Sequence, residues 1–347
     1  MENLPVTIVV PTYNERRFNV KRSSLYLTQY FNKIIIVDSS KSKYPYNLED
    51  NRIRYIHCPE LGYYEKLILA VEYVDTEYMA FCADDDFIIP KGVFSATKFL
   101  IDNPDYSMAI GRQVCFFKKS EKSPKYEWRL TDWEGTSIDE DTASKRLIGL
   151  LSSFKASTFY AVHRKELMRE LLQGALENTS DYLMGEYIVA SLAVIRGKFK
   201  ITDDLYMARN AHPSNNPHNL YNFIMNGTFD EKYKIFKDYL SAEIKKVEEI
   251  STQEAEDVID KAIQGYLQKE GLDLNRLKGL SRIKDILKKI GLLGISLRLK
   301  QGLFGRMDYG FKIDKLMSQP KNPFEEPQNK DFEEFTRISR FIEEFTE

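Results

Sequence analysis

Tyr78-Met79-Ala80-Phe81-Cys82-Ala83-Asp84-Asp85-Asp86-Phe87 is the stretch on which the reading of this chain turns. Its first five residues are an apolar run of strand length, so three carboxylates emerge together where a buried strand ends. Crowding them is costly: two like charges about 4 Å apart repel by roughly 4 kcal/mol at an effective dielectric near 20. A divalent cation would relieve that repulsion. Hard oxygen ligands without a thiolate or imidazole pair nearby suit Mg²⁺ or Mn²⁺, and those ions in turn suit a phosphate-bearing substrate. The competing reading is a solvated turn that caps the following helix.

The segments N-terminal to the acidic cluster repeat the same design. Val6-Thr7-Ile8-Val9-Val10 is a β-rich run ended by Pro11, followed by the loop Thr12-Tyr13-Asn14-Glu15 and an amphipathic segment through Phe31. Lys33-Ile34-Ile35-Ile36-Val37 is continuously apolar, as a strand covered on both faces should be, and it ends in Asp38-Ser39-Ser40. A third run covers Arg52 to His57. After Leu61-Gly62 a helical pattern places Leu67, Ala70, Val71 and Val74 in phase. Strand, helix, strand, strand, helix, strand predicts an α/β fold: a largely parallel sheet flanked by helices, with its ligand site at the carboxyl ends of the strands. Tyr13, Asp38 and Asp84 to Asp86 all sit at such ends. No GxGxxG follows the first strand and no GxxxxGK[ST] occurs, which counts against a dinucleotide-binding fold and a P-loop NTPase.

The 347 residues fit one large α/β domain with an appendage, or two domains. An apolar fraction of 43% supports a sizeable core, and a net charge of −2 gives no overall reason to expect a nucleic-acid partner. Cys58, Cys82 and Cys115 are scattered with no CxxC spacing, suggesting neither a disulfide framework nor a zinc site. The N-terminus lacks the basic-then-apolar pattern of a signal peptide, and no apolar run approaches the ~18 residues that span a bilayer. A cytoplasmic protein is the expectation.

Four blocks, Pro11-Thr12-Tyr13-Asn14-Glu15, Ile36-Val37-Asp38-Ser39-Ser40, Gly62 with Lys66, and Ala83-Asp84-Asp85-Asp86-Phe87-Ile88-Ile89-Pro90, resemble inverting GT-A glycosyltransferases of family 2 in order and spacing. The resemblance implies that Pro11, Thr12, Tyr13, Glu15 and Asp38 hold the base and ribose of a nucleotide sugar. It also implies that Lys66 faces the nucleotide, and that Asp84 and Asp85 contribute to the donor site. Asp84 and Asp86 would hold the metal. The chain departs from the family where Asp38-Ser39-Ser40 replaces the more usual Asp-Asp-Gly-Ser, which removes one acidic contact. A later block agrees: Gly185-Glu186 is followed by an apolar helical pattern and Gly197, where family members carry Glu-Asp. This points to Glu186 as catalytic base, with Asp181 as the alternative. In Tyr206 to Ser214, Arg209 would balance the leaving group's charge and His212 would contact metal or phosphate. His218 has less support, and His57 and His163 read as structural.

The resemblance therefore implies a metal-dependent transferase. It would move a sugar from a nucleoside diphosphate donor, UDP foremost, to a glycan or lipid-linked glycan acceptor in cell-surface polysaccharide assembly. Acceptor contacts are expected within Arg112 to Ser157, which carries Trp128 and Trp133; Trp133 reads as core, with stacking on a sugar ring as its alternative. The alternatives are a GT-A-like nucleotidyl or phospho-group transferase, or a non-catalytic assembly protein that uses its helical tail.

The catalytic domain is expected over 1–228, with a nucleotide half at 1–104 and an acceptor half at 105–228. Residues 229–319 read as a helical region. There Tyr233, Phe236, Leu240, Ile244 and Val247 form one stripe, and Ser251 with Glu254 forms a capping box. Leu272 to Arg306 is a basic amphipathic stretch that reads either as a peripheral membrane surface or as a face packed on the catalytic domain. Residues 320–347 hold a Pro/Glu linker and an acidic helix whose stripe, Phe332, Phe335, Ile338, Ile342 and Phe345, should dock in cis or on another copy.

Overall fold

A computed structural model describes residues 5–345 apart from 15, 46, 47, 49, 121, 122, 124, 132, 134, 153, 155, 212–228 and 270–316. The predicted sites Glu15, His212 and His218, and the basic stretch from Leu272 to Arg306, lie outside the described residues. The described residues divide into two compact units. One lies within Met1–Asp139, Lys155–His212 and Ile313–Glu347, the other within Glu140–Phe154 and Pro213–Lys312.

The first unit is built on a mixed sheet. Its strands are β1 (Val6–Thr12), β2 (Ile34–Asp38), β3 (Ile53–His57), β4 (Tyr78–Phe81), β5 (Phe87–Ile88), β6 (Tyr106–Phe117), β7 (Glu127–Leu130), β8 (Val162–Arg164) and β9 (Lys198–Asn210). The order is β3-β2-β1-β4-β8-β6-β9-β5, with β7 paired to β6. Strands β1 to β4, β6 and β9 run one way and β5, β7 and β8 the other. Helices α1 (Arg17–Leu27), α2 (Tyr63–Glu72) and α3 (Pro90–Asp102) follow β1, β3 and β5. The α/β fold expected from the first 86 residues is the one observed. Leu67, Ala70, Val71 and Val74, the predicted inner stripe of α2, are all buried.

Register explains why distant loops meet. In the parallel β1/β2 pair Thr12 lies opposite Asp38, and β4 flanks β1 on its other side with Phe81 opposite Val9. The carboxyl ends of these three strands therefore share one edge. The two-residue β5 turns back directly after Asp86 and pairs antiparallel with β9, Phe87 opposite Ala208, which makes Asp86 and Arg209 neighbours.

Two further helices of this unit are α5 (Lys165–Asn178) and α6 (Tyr182–Arg196). The apolar pattern after Glu186 placed the start of α6 beyond that residue. The helix instead begins at Tyr182, because the Asp181 carboxylate accepts the N–H groups of Leu183 and Met184 at 3.1 Å and caps it. Glu186 is thus one turn inside.

The acidic tail helix α9 (Phe332–Glu344) docks in cis within the first unit. Asp331, fully buried before it, accepts from Lys91 Nζ at 2.5 Å and from the Leu205 N–H at 2.9 Å. Phe335 meets Trp128 edge to face at 5.0 Å, and Phe341 packs on Tyr26 and Phe87. Of the two placements open for the apolar stripe, the cis one is realised, and Trp128 is buried against it.

The second unit contains α4 (Ala143–Ser152), α7 (Phe229–Lys245) and α8 (Thr252–Lys269). The expected capping box forms: Glu254 Oε2 accepts from the Ser251 N–H at 2.8 Å, and Ser251 Oγ accepts from the Glu254 N–H at 3.2 Å. Tyr233, Phe236, Leu240 and Ile244 are buried, whereas Val247, beyond the end of α7, is exposed. Among the described residues no helix is long and apolar enough to cross a membrane.

Candidate active site

The turn after β1 is set by Asn14, whose φ of 57° is left-handed, a conformation Asn tolerates better than most residues. It leaves Tyr13 half-exposed, with the Lys66 ammonium and the Arg16 guanidinium near its ring at 5.6 and 5.3 Å. Lys66 itself is buried; its Nζ donates to the Thr12 carbonyl and to Ser39 Oγ, both at 2.9 Å. It ties the end of β1 to the end of β2. Asp38 is held with one oxygen on the Ser40 N–H at 2.8 Å and the other on the Tyr55 hydroxyl at 2.6 Å. A narrow recess between these loops is lined by Thr12, Arg16, Asp38, Ser40 and Tyr44.

The acidic cluster is met by cations of the protein itself. Asp84 accepts from the Thr12 hydroxyl and, at 2.6 Å, from Arg16 Nη1; Arg16 Nη2 lies 3.6 Å from Asp85. Asp86 accepts the Asn210 N–H at 2.8 Å and Arg209 Nε at 3.3 Å. These contacts only partly offset burial, which is the largest effect on both groups: Asp84 is pushed up to about 6 and Asp86 to about 7, with the neighbouring Asp85 charge raising each further. Buried carboxyls held near neutrality mark a place where a bound cation would be welcome.

For Mg²⁺ or Mn²⁺ carboxylate oxygens are suitable donors, and the two oxygens of Asp86 accept from the Asn210 N–H and Arg209 Nε. Asp84 has both oxygens taken by protein donors. Among the described residues no group of three or more acidic, His or Cys side chains is assembled as a metal cage.

Glu186 stands on α6 among aromatic rings. Burial pushes its carboxyl up to about 8, and the Arg209 charge opposes the rise. It interacts electrostatically with Tyr63, Tyr64, Tyr160 and Tyr182. The Arg209 guanidinium lies 4.9 Å from the ring centres of both Trp133 and Tyr160. Trp133 was expected in the core; it is half-buried and is one wall of this clamp. Arg209 thus bonds Asp86 while its charge acts on Glu186, and Asp181 serves as a helix cap.

The sequence reading missed Arg16, which neutralises Asp84, and the aromatic set Tyr63, Tyr160 and Tyr182. The signals were present: Arg16-Arg17 directly follows the Tyr13 loop, and Tyr63-Tyr64 directly follows Gly62. Their pairing partners are distant in the chain.

Residues 7–172 match the sequence model of the family described as glycosyl transferase family 2. The matched segment runs from β1 into α5 and holds the whole acidic cluster, which makes the protein a glycosyltransferase. Among solved structures, the chain is similar to Staphylococcus aureus TarS 1-349 in complex with UDP-GlcNAc, at 14% identity and a TM-score of 0.44 over 76% of this chain and 72% of that one. It is also similar to TarS 1-349 in complex with UDP, at 15% identity and a TM-score of 0.45 over 87% and 93% of the two chains. No curated protein matches the chain by sequence.

Proposed function

We propose that this protein is an inverting transferase that moves a sugar from a nucleoside diphosphate donor, UDP-linked foremost, to a hydroxyl of a glycan or lipid-linked glycan acceptor in cell-surface polysaccharide assembly. The observation that carries the reading is the convergence of Tyr13, Asp38 and the acidic cluster at the carboxyl ends of β1, β2 and β4, with Arg209 bonded to Asp86 and its charge acting on Glu186.

In this reading Tyr13 and Asp38 orient the nucleoside, and Arg209 offers a fixed positive charge to the departing diphosphate. Such preorganised charge is worth several kcal/mol because it acts where negative charge develops. Glu186 accepts the proton of the attacking acceptor hydroxyl, a contribution of roughly 10²- to 10⁴-fold for a positioned base. The nearby Arg209 charge favours the carboxylate form that this role requires. One displacement inverts the anomeric centre; a retaining route needs a second carboxylate placed as nucleophile, and the nearest acidic alternative, Asp181, is engaged as a cap. Mg²⁺ or Mn²⁺ held by Asp86, with Asp85 alongside, would supply further charge for the diphosphate. His212 is proposed as an additional metal or phosphate contact.

The test is release of nucleoside diphosphate from a panel of nucleotide sugars in the presence of glycan and lipid-linked glycan extracts. Release by the wild type, with α- to β-linked inversion by NMR, is expected. Release with retained configuration, or transfer of the nucleotidyl group in place of the sugar, contradicts the reading.

A further inference from the structure

A column of aromatic rings runs from the core to the surface beside Glu186. Phe81, on the central strand β4, stacks on Phe159 at 4.9 Å and 14° between planes; Phe159 stacks in turn on Tyr63 at 6.5 Å and 29°. Among the described residues the stack extends no further. Tyr63 is 36% exposed and meets Tyr182, 47% exposed, at 6.1 Å and 65°, so the two rings form an open corner. Both interact electrostatically with the Glu186 carboxyl.

The corner is fixed by a residue that is small for a reason. The Tyr64 hydroxyl donates to the Tyr182 carbonyl at 2.6 Å, and it occupies the space a side chain at 185 would fill: a Cβ there would lie 2.1 Å from that oxygen. Gly185, Tyr64 and Tyr182 are therefore mutually dependent, and the glycine inside α6 is the condition for the tyrosine pair. Exposing two large aromatic faces costs apolar hydration; Tyr63 is backed by its stack on Phe159, and the Tyr182 backbone is tied by Tyr64. Such a surface is preorganised for a flat, partly apolar ligand.

From this we infer that Tyr63 and Tyr182 form the acceptor subsite, stacking on the C–H face of a pyranose ring so that one of its hydroxyls reaches Glu186. The inference rests on the proposed transferase reading. It commits to the acceptor ring over the nucleotide base, because Tyr182 stands one turn before Glu186 on the same face of α6, beside the carboxyl that must take the acceptor's proton.

The experiment is saturation-transfer NMR on the full chain in the presence of UDP, with methyl glycosides of glucose, galactose and N-acetylglucosamine as probes. The wild type is expected to saturate the ring protons of at least one glycoside. Tyr63→Ala and Tyr182→Ala should weaken it by roughly three- to tenfold, as for loss of an aromatic contact, and Tyr63→Phe should retain it. UDP-induced thermal stabilisation should be equal in all four proteins. Three results overturn the inference: no glycoside bound by the wild type, equal binding by the alanine variants, or loss of UDP stabilisation in them, which would make the corner part of the donor site. Failure of UDP to stabilise the wild type defeats the underlying reading, and is distinguishable from failure of the corner alone.

Discussion

Arg209 Nε donates to Asp86 Oδ2 at 3.3 Å across a chain separation of 123 residues, and the same positive charge acts on the Glu186 carboxyl. One side chain thus links the group proposed to manage the leaving diphosphate to the group proposed to receive the acceptor's proton. Replacing Arg209 by Ala removes the positive charge from both, and a fall in kcat larger than any rise in donor KM is expected. A change confined to KM would place Arg209 in ground-state binding alone.

Glu186→Gln preserves shape and removes the base. Transfer should drop by roughly 10²- to 10⁴-fold while UDP-induced stabilisation persists. Turnover retained within a few-fold would shift the base role elsewhere on the site. In the wild type, kcat/KM should rise with pH on a limb near 8, the value to which burial pushes this carboxyl.

Stability should also depend on pH in a defined direction. Asp84, Asp86 and Glu186 have folded-state values of about 6, about 7 and about 8 against ordinary values of 3.8, 3.8 and 4.5. A raised folded-state pKa contributes stability that is complete below the unfolded value and is lost as pH rises through the folded one. The Tm of the ligand-free protein should therefore decline from acid pH toward pH 8, and Glu186→Gln, neutral throughout, should flatten the decline. Parallel curves for the two proteins would show that Glu186 titrates normally.

Gly185→Ala should destabilise by about 1–3 kcal/mol, as overpacking of a filled interior does. Because the clash is with Tyr64 Oη, the double variant Gly185→Ala/Tyr64→Ala should lose less than the sum of the two singles in denaturant unfolding. Strict additivity would mean that the two side chains do not compete for the same space.

The tail helix is expected to be integral to the catalytic unit. Asp331→Ala leaves the buried Leu205 N–H unpaired and should cost about 1–3 kcal/mol, read as a lower urea midpoint. An unchanged midpoint would show that the contacts of Asp331 with Lys91 and Leu205 do not persist in solution.

Local pattern was sufficient for much of this architecture. The apolar runs before Pro11, Asp38 and Asp84 gave the parallel strands and the edge where their loops converge, and Ser251 with Glu254 announced the start of α8. What pattern did not carry was pairing at long range. Arg16 meets Asp84 across 68 residues, and Arg209 reaches Asp86 only because a two-residue strand, too short to read, turns back on β9. Relief of the carboxylate repulsion, expected from a metal alone, comes in the fold also from Arg16 and Arg209. The start of α6 was misplaced because the apolar pattern becomes continuous only after Glu186, whereas the cap that sets the start is Asp181. Trp133 reads as core by its size and is revealed as a wall of the Arg209 clamp only in three dimensions.

The most direct test of the central claim is a thermal-shift panel of UDP, GDP, CDP and dTDP, each with and without Mn²⁺, on wild type and Asp86→Asn. A ligand at a hundred times its Kd stabilises by about 2.7 kcal/mol, enough to move Tm by several degrees. One diphosphate, UDP foremost, should raise the Tm of the wild type in the presence of Mn²⁺, and Asp86→Asn should abolish the shift. No shift from any diphosphate in any condition would contradict a nucleotide-sugar site at this edge of the sheet.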